Sequence, residues 1–194
     1  PEDASRRFPV LLLRYRRRHK HAFPDERYRN LLLSALPYNE SADILDFEQE
    51  GGYRLDRDWL LDVALHLQVT VKQTEPNWQH GIVLYSCLRS FLETHGKCQA
   101  TILETGTARG FSSIVMARAL IDAKCAGTIH TIDILSHSEP QLWNCLGDSG
   151  GPRTRAQLLR RWPHETGHIV FHEGSSRSVL NRTHFDRVHF AFLD

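Results

Sequence analysis

Glu104, Gly106, Gly110 and Ser112 stand in the stretch Glu104-Thr-Gly106-Thr107-Ala-Arg-Gly110-Phe-Ser112, and together they suit the holding of a small polar ligand. Glycines strip side chains from the backbone, so a ligand can lie against bare peptide groups. Ser112 and Ser113 can cap the free N–H groups of a helix starting there. A second carboxylate, Asp133, closes the next apolar run, Gly127-Thr-Ile-His-Thr-Ile-Asp133. A carboxylate at such a strand end can accept both hydroxyls of a ribose, as in dinucleotide sites. Glu173, followed by Gly174-Ser175-Ser176, and Asp194 add two further acids, each ending a predicted strand. One acidic strand end is unremarkable, but four along one βαβ chain read as a site.

The elements that must position these residues follow from hydrophobic period. Ile102 and Leu103 suit a buried parallel strand, and Ile114, Val115, Ala117 and Leu120 form the buried side of the helix after the glycine turn. His168–Glu173 reads as a third strand, followed by a short helix, and Asp186–Asp194 as a fourth. Strands alternating with helices predict an α/β fold with a Rossmann-like, open, mainly parallel sheet. Right-handed crossovers place the glycine turn at its carboxyl edge, with strand order 3-2-1-4. Ahead of it, Trp59, Leu60, Val63, Ala64 and Leu67 recur at helical spacing between Asp56 and about Val71. A second helix after Pro76 buries Ile82, Leu84, Tyr85, Leu88, Phe91 and Leu92. Residues 31–52 are mixed, with a turn at Glu50-Gly51-Gly52. The expected organisation is a helical region over 1–98 packed on an α/β core over 99–194.

A dinucleotide turn needs G-x-G-x-x-G, but Ala108 and Phe111 occupy its second and third glycine positions. The pattern Glu-x-Gly-x-x-x-Gly-x-Ser instead resembles motif I of class I S-adenosylmethionine-dependent methyltransferases, especially the small-molecule O-methyltransferase branch. The resemblance covers residues 100–194. It implies that Gly106, Thr107, Gly110 and Ser112 border the methionine portion and that Glu104 orients its amino group. It further implies that Asp133 binds the ribose and that Gly174, Ser175 and Ser176 border the adenine. Asp194 falls where metal-dependent members place their first Mg²⁺ ligand; it would otherwise be a base or touch the methionine end. The family's other two ligands, and three more strands, would lie past residue 194, so the natural protein is expected to continue. The implied reaction is methyl transfer to a small-molecule acceptor, most readily a hydroxyl. The rival from another class is a non-catalytic module that binds S-adenosylmethionine or a nucleotide.

Gly147-Asp-Ser-Gly-Gly-Pro152 matches the nucleophile loop of trypsin-like serine proteases, so a hydrolase must be weighed. A serine hydroxyl needs a positioned base. His130 and His172 alternate with strand residues that should face helices, which leaves only His164, after a Trp-Pro turn, free to move; no histidine is expected within reach of Ser149, which should be inert. Arg153–Trp162 reads as a basic helix, which no protease requires after this loop. His80 opens the second helix and either lines a substrate pocket or simply packs.

Composition excludes several classes. The 194 residues carry a formal net charge of +1, which gives no bulk attraction to nucleic acid. Arg14, Arg16, Arg17, Arg18, His19 and Lys20 cluster, but without interleaved aromatics they read as a solvated helix face or a partner surface. No apolar run approaches a membrane span, and Phe8–Leu13 is too short for a signal-peptide core. The four cysteines form no C-x-x-C pair, so reduced thiols and a cytoplasmic location are expected. Homo-oligomer formation is left open.

Overall fold

The computed structural model describes residues 22–96 and 99–193. The basic cluster at Arg14–Lys20, the Phe8–Leu13 run, Cys98 and Asp194 lie outside them. The fold is α/β and Rossmann-like: one open parallel sheet, order β3-β2-β1-β4, as the alternating pattern predicts. Its strands are β1 (Thr101–Thr105), β2 (Thr128–Asp133), β3 (Ile169–Glu173) and β4 (Phe190–Leu193). β3 and β4 are shorter than predicted; β4 begins only at Phe190, where pairing with Ile102 of β1 starts.

Among the described residues four helices precede the sheet: α1 (Asp25–Asn39), α2 (Ala42–Gly51), α3 (Arg57–Leu67) and α4 (Gln79–Thr94). The mixed reading of residues 31–52 is corrected here. The Leu31-Leu32-Leu33 run lacks a 3.6 period and Pro37 looks like a breaker, yet α1 runs through both. Asp56 is the N-cap of α3, accepting from Trp59 N at 2.8 Å, and the helix stops at Leu67 rather than near Val71. The β-branched Val69-Thr70-Val71 that follows favours extended backbone.

After β1 comes α5 (Phe111–Asp122), and after β2 a long loop with a 3₁₀ turn at Asp148–Gly150. The basic helix expected over Arg153–Trp162 is shortened to α6 (Arg155–Leu159), and Pro163 opens a separate short helix, α7 (Pro163–Thr166). α8 (Ser176–Arg182) follows β3.

One hydrophobic core joins the helical region to the sheet, from Tyr28 and Leu60 through Ile82 and Leu88 to Ile102, Ile114 and Ile129. α4 lies so close to α5 that a Cβ on Gly81 would stand 2.8 Å from the Phe111 ring. Loop 135–152 is part of this core. Trp143 is fully buried and donates from Nε1 to Arg153 O at 2.7 Å. Asn144 accepts from Tyr28 Oη and donates to Val71 O, fastening α1 and the α3–α4 connection to the loop. Among the described residues, no helix is long and apolar enough to cross a membrane.

Candidate functional site

The turn between β1 and α5 departs from ordinary backbone geometry at three residues. Gly106 (φ 85°), Ala108 (φ 46°) and Gly110 (φ 95°) all lie on the left-handed side. Gly110 is the N-cap of α5, and a Cβ there would come within 3.2 Å of Leu159. The turn is held from several directions. Gly106 N donates to Ile132 O (2.9 Å), and Gly110 N to Thr107 O (2.7 Å). The Thr107 and Thr131 hydroxyls bond at 2.5 Å. Arg109 donates to Leu67 O and Trp143 O, locking the turn to α3 and the long loop.

A cleft of about 340 Å³ opens against this turn. It is lined by Gly106, Thr107, Ala108 and Ser112 of the turn and by Gln68, Asn77 and His80 from the helical region. The His80 ring meets Phe111 edge-on at 5.0 Å, and Phe192 of β4 closes one end. No side chain caps the N-terminus of α5 among the described residues. The first N–H groups of a helix lack intrahelical partners and favour an anion, so this end of the cleft suits a carboxylate.

Ser112 and Ser113 were expected to supply that cap and do not. Lying inside the first turn with side chains aimed back toward β1, both donate to Glu104. Glu104 is fully buried. Burial raises its pKa, against the opposing pull of the Ser112, Ser113 and Thr131 hydroxyls. Its carboxylate braces the first turn of α5 from behind and is not among the groups lining the cleft.

Asp133 also acts on the turn. Oδ2 accepts from Ala108 N at 2.5 Å and Oδ1 from Leu135 N at 2.8 Å. Arg155, 2% exposed, completes the arrangement: Nε donates to Ala108 O at 2.9 Å, and Nη2 lies 3.6 Å from Asp133 Oδ2. The carboxylate and guanidinium therefore hold the left-handed Ala108 by its N–H and its C=O. Asp133 is outside the cleft lining as well. Gly174 (φ 140°) donates to Asp133 O, Ser175 caps α8 by accepting from Ser178 N, and Ser176 is the first residue of that helix. Glu173 is exposed. Of the expected site residues, the structure thus brings Gly106, Thr107 and Ser112 to one cleft. Glu104, Gly110 and Asp133 stand behind it, and Gly174, Ser175 and Ser176 lie beyond. Among the described residues, no group of three His, Cys, Asp or Glu is placed to hold a metal ion, and Asp194 is outside them.

No protein-family model matches the chain, and no curated protein matches it in sequence. Among solved structures, a cyclopropane-fatty-acyl-phospholipid synthase-like protein from Lactobacillus casei is similar. The likeness covers 69% of this chain and 46% of that one, at 20% identity and a TM-score of 0.34. The matched part is under half of that protein's length, and so distant a likeness carries nothing about activity. The fold stands on the sheet order itself.

Ser149 lies in the 3₁₀ turn at Asp148–Gly150. Its hydroxyl donates to Asp25 Oδ1 at 3.3 Å, and among the described residues no histidine is bonded to it. His130 and His172 bond each other at 3.0 Å on the half-buried outer face of the sheet, beside Phe185. Burial and their mutual proximity lower the pKa of His130, and burial with nearby Arg182 lowers that of His172. Sequence reasoning missed Arg155, Gln68 and Asn77. Arg155 had one legible signal, the capping box from Thr154 to Gln157 that fixes the start of its helix. Nothing local marks Gln68 or Asn77, which reach the cleft only through helix packing.

Proposed function

We propose that this chain binds S-adenosylmethionine in the cleft beside Gly106 and belongs to a methyltransferase acting on a small-molecule acceptor, with a hydroxyl oxygen as nucleophile. The observation that carries the reading is the turn at the carboxyl end of β1, left-handed at Gly106, Ala108 and Gly110, which lines a cleft together with the start of α5. Such a switch point in an open parallel sheet is where ligands bind, and the cleft falls within the usual size range of ~300–1,000 Å³.

The groups present suit the methionine end of the ligand. The uncapped N–H groups of α5 face a carboxylate, and Thr107 and Ser112 border its chain. Asp133 keeps lone pairs beyond the two N–H bonds it accepts, so reaching a ribose requires only that a hydroxyl approach its remaining acceptor sites. Bound there, S-adenosylmethionine supplies an electrophilic methyl on a sulfonium. The protein's part is alignment, which accounts for most of the acceleration in such a transfer. Gln68, Asn77 and His80 form the acceptor wall, and His80 is the group positioned to take a proton from the acceptor oxygen. The engagement of Glu104 and Asp133 inside the protein favours a second reading, a non-catalytic S-adenosylmethionine-binding module; His80→Ala abolishing turnover with unchanged ligand affinity would discriminate for the enzyme.

The test is calorimetric titration with S-adenosylhomocysteine. Wild-type protein should bind, and Gly106→Val should not, since a β-branched side chain at φ 85° both strains the turn and fills the approach. A folded Gly106→Val protein with wild-type affinity would sink the assignment.

A further inference from the structure

A second cleft, of about 400 Å³, lies where α3, α6 and the Gly147 loop meet. Its polar lining is dominated by donors. Arg153, Arg160, Arg161, His66 and Gln157 face it, with Asp25 as the acid in the wall. Arg160 makes no hydrogen bond or ion pair among the described residues. Arg153 uses Nη2 on Leu146 O (2.7 Å) and Asp148 Oδ1 (3.1 Å), while its Nε is buried without a hydrogen-bond partner. Gln157 accepts from Thr154 N through Oε1, so the amide NH₂ is the end left to donate. Arg161 pairs with Asp62 at 3.0 Å, but both are well exposed, and such a pair is weak. The acids are turned to other work. Asp25 Oδ1 accepts from Gly147 N and Ser149, and Asp148 is buried behind Arg153.

Three arginines line this one cleft, with Arg160 unpaired and Arg161 held only by an exposed ion pair, and such a cluster of guanidinium donors suits an oxyanion. We infer that this cleft binds a phosphate-bearing ligand, gripped by Arg153, Arg160 and Arg161. The inference does not rest on the reading of the glycine turn, whose cleft is lined by other residues.

His66 adds a signature. Nδ1 lies 2.8 Å from Asp62 O, a carbonyl, so Nδ1 carries a proton and donates, leaving Nε2 as the titrating edge. Burial lowers the His66 pKa, and Arg161 and Arg153 lower it further, against Asp62 on its own helix. Asp25 from α1 and Arg160 from the α6 end also face this cleft. An anion arriving beside the ring favours the imidazolium, so His66 has a higher pKa in the complex than in the free protein. Affinity then rises as pH falls through the complex's value and levels below the free protein's lowered one. Sulfate, whose charge is constant across this range, isolates the effect.

The experiment titrates the full chain at low salt with inorganic phosphate, glycerol 3-phosphate and sulfate, and with phosphatidylcholine vesicles with or without phosphatidic acid. Wild-type protein should bind saturably, and Arg160→Ala/Arg161→Ala should weaken binding at least ~tenfold, since charge-assisted bonds are lost from exposed positions. S-adenosylhomocysteine affinity and thermal midpoint should stay the same in that variant, which separates this site from the first cleft. Sulfate binding should take up protons in wild type and not in His66→Asn, which keeps the Nδ1-like donor. Binding of the soluble phosphates alone supports a free ligand, and vesicle binding lost in the double variant supports a headgroup. No saturable binding in either arm, or an unchanged affinity in the double variant, would overturn the inference.

Discussion

Two glycine-rich loops in this protein invite opposite readings, and the structure separates them by where their polar groups are engaged. In the Gly106–Ser112 turn, the side chains of Glu104, Asp133 and Arg155 all act from behind. The turn and the uncapped start of α5 line a cleft. In the Gly147–Pro152 loop the groups close on the protein itself. Gly147 N and the Ser149 hydroxyl both reach Asp25, Gly150 N and Gly151 N bond within the loop, and Asp148 is buried against Arg153. A Cβ on Gly147 would stand 2.9 Å from Arg153 Nη1, so this glycine makes room for an arginine side chain of the same loop. The letters of a motif describe composition, while the direction in which its unsatisfied groups point decides function.

The contrast is broken most forcefully at Asp133. Asp133→Ala leaves the Ala108 and Leu135 N–H groups without their acceptor and takes an ion partner from the buried Arg155, which should cost about 3 kcal/mol of stability. It should also weaken S-adenosylhomocysteine at least ~tenfold by releasing the turn and removing the acceptor for the ribose. Urea unfolding and calorimetry on the same variant measure both; a change in one without the other would show that Asp133 has a single role.

Asp148→Ala is the matching probe of the second loop. Removing the partner of Arg153 should lower stability by about 2 kcal/mol, less than at Asp133 because Arg153 is partly exposed. Ligand affinity at the first cleft should be unchanged. A tenfold loss there would mean that the two loops are coupled through Arg109 and Trp143.

Glu104→Gln sharpens the comparison through pH. The folded-state pKa of Glu104 is raised above its ordinary 4.5, so the native protein holds this proton more tightly than the unfolded chain. Wild-type stability contributed by this group therefore falls as pH rises from about 4.5 toward the folded value, then levels. The isosteric amide lacks that loss, so the variant should gain on wild type across the same window, ending within about 1 kcal/mol of it at neutral pH. Unfolding curves at pH 4 and pH 7 give the difference; a variant that loses ground as pH rises would contradict the buried-acid picture. The smallest effect is expected at Ser149→Ala, within about ±0.5 kcal/mol, with no labelling of the wild-type serine by a fluorophosphonate. Stoichiometric labelling would restore the hydrolase reading.

Much of the fold was legible because parallel strands and their helices carry their own periodicity. Ile102, Ile129 and Ile169 marked three strands, and the glycines marked the turn that follows β1. The helical spacing also put the start of α3 at Asp56, where the structure shows its cap, and the glycines put a break at Gly106 and Gly110, where the backbone is left-handed. What could not be read was which way a polar side chain turns once its element is packed. Glu104, Ser112 and Asp133 have the right types and spacing for a ligand, yet β1 and α5 approach closely enough for the first two to satisfy each other. Asp133 is claimed by an arginine that arrives from beyond a long loop. α1 was hidden for a related reason: its leucine run has no helical period, and its burial comes from Tyr28 meeting Asn144, far along the chain. Sequence determined the order of elements and the backbone freedom of the turn, since both follow from residues within a few positions of each other. Only the tertiary structure decided which groups face the cleft, because a buried polar atom takes whichever partner the packing brings within reach.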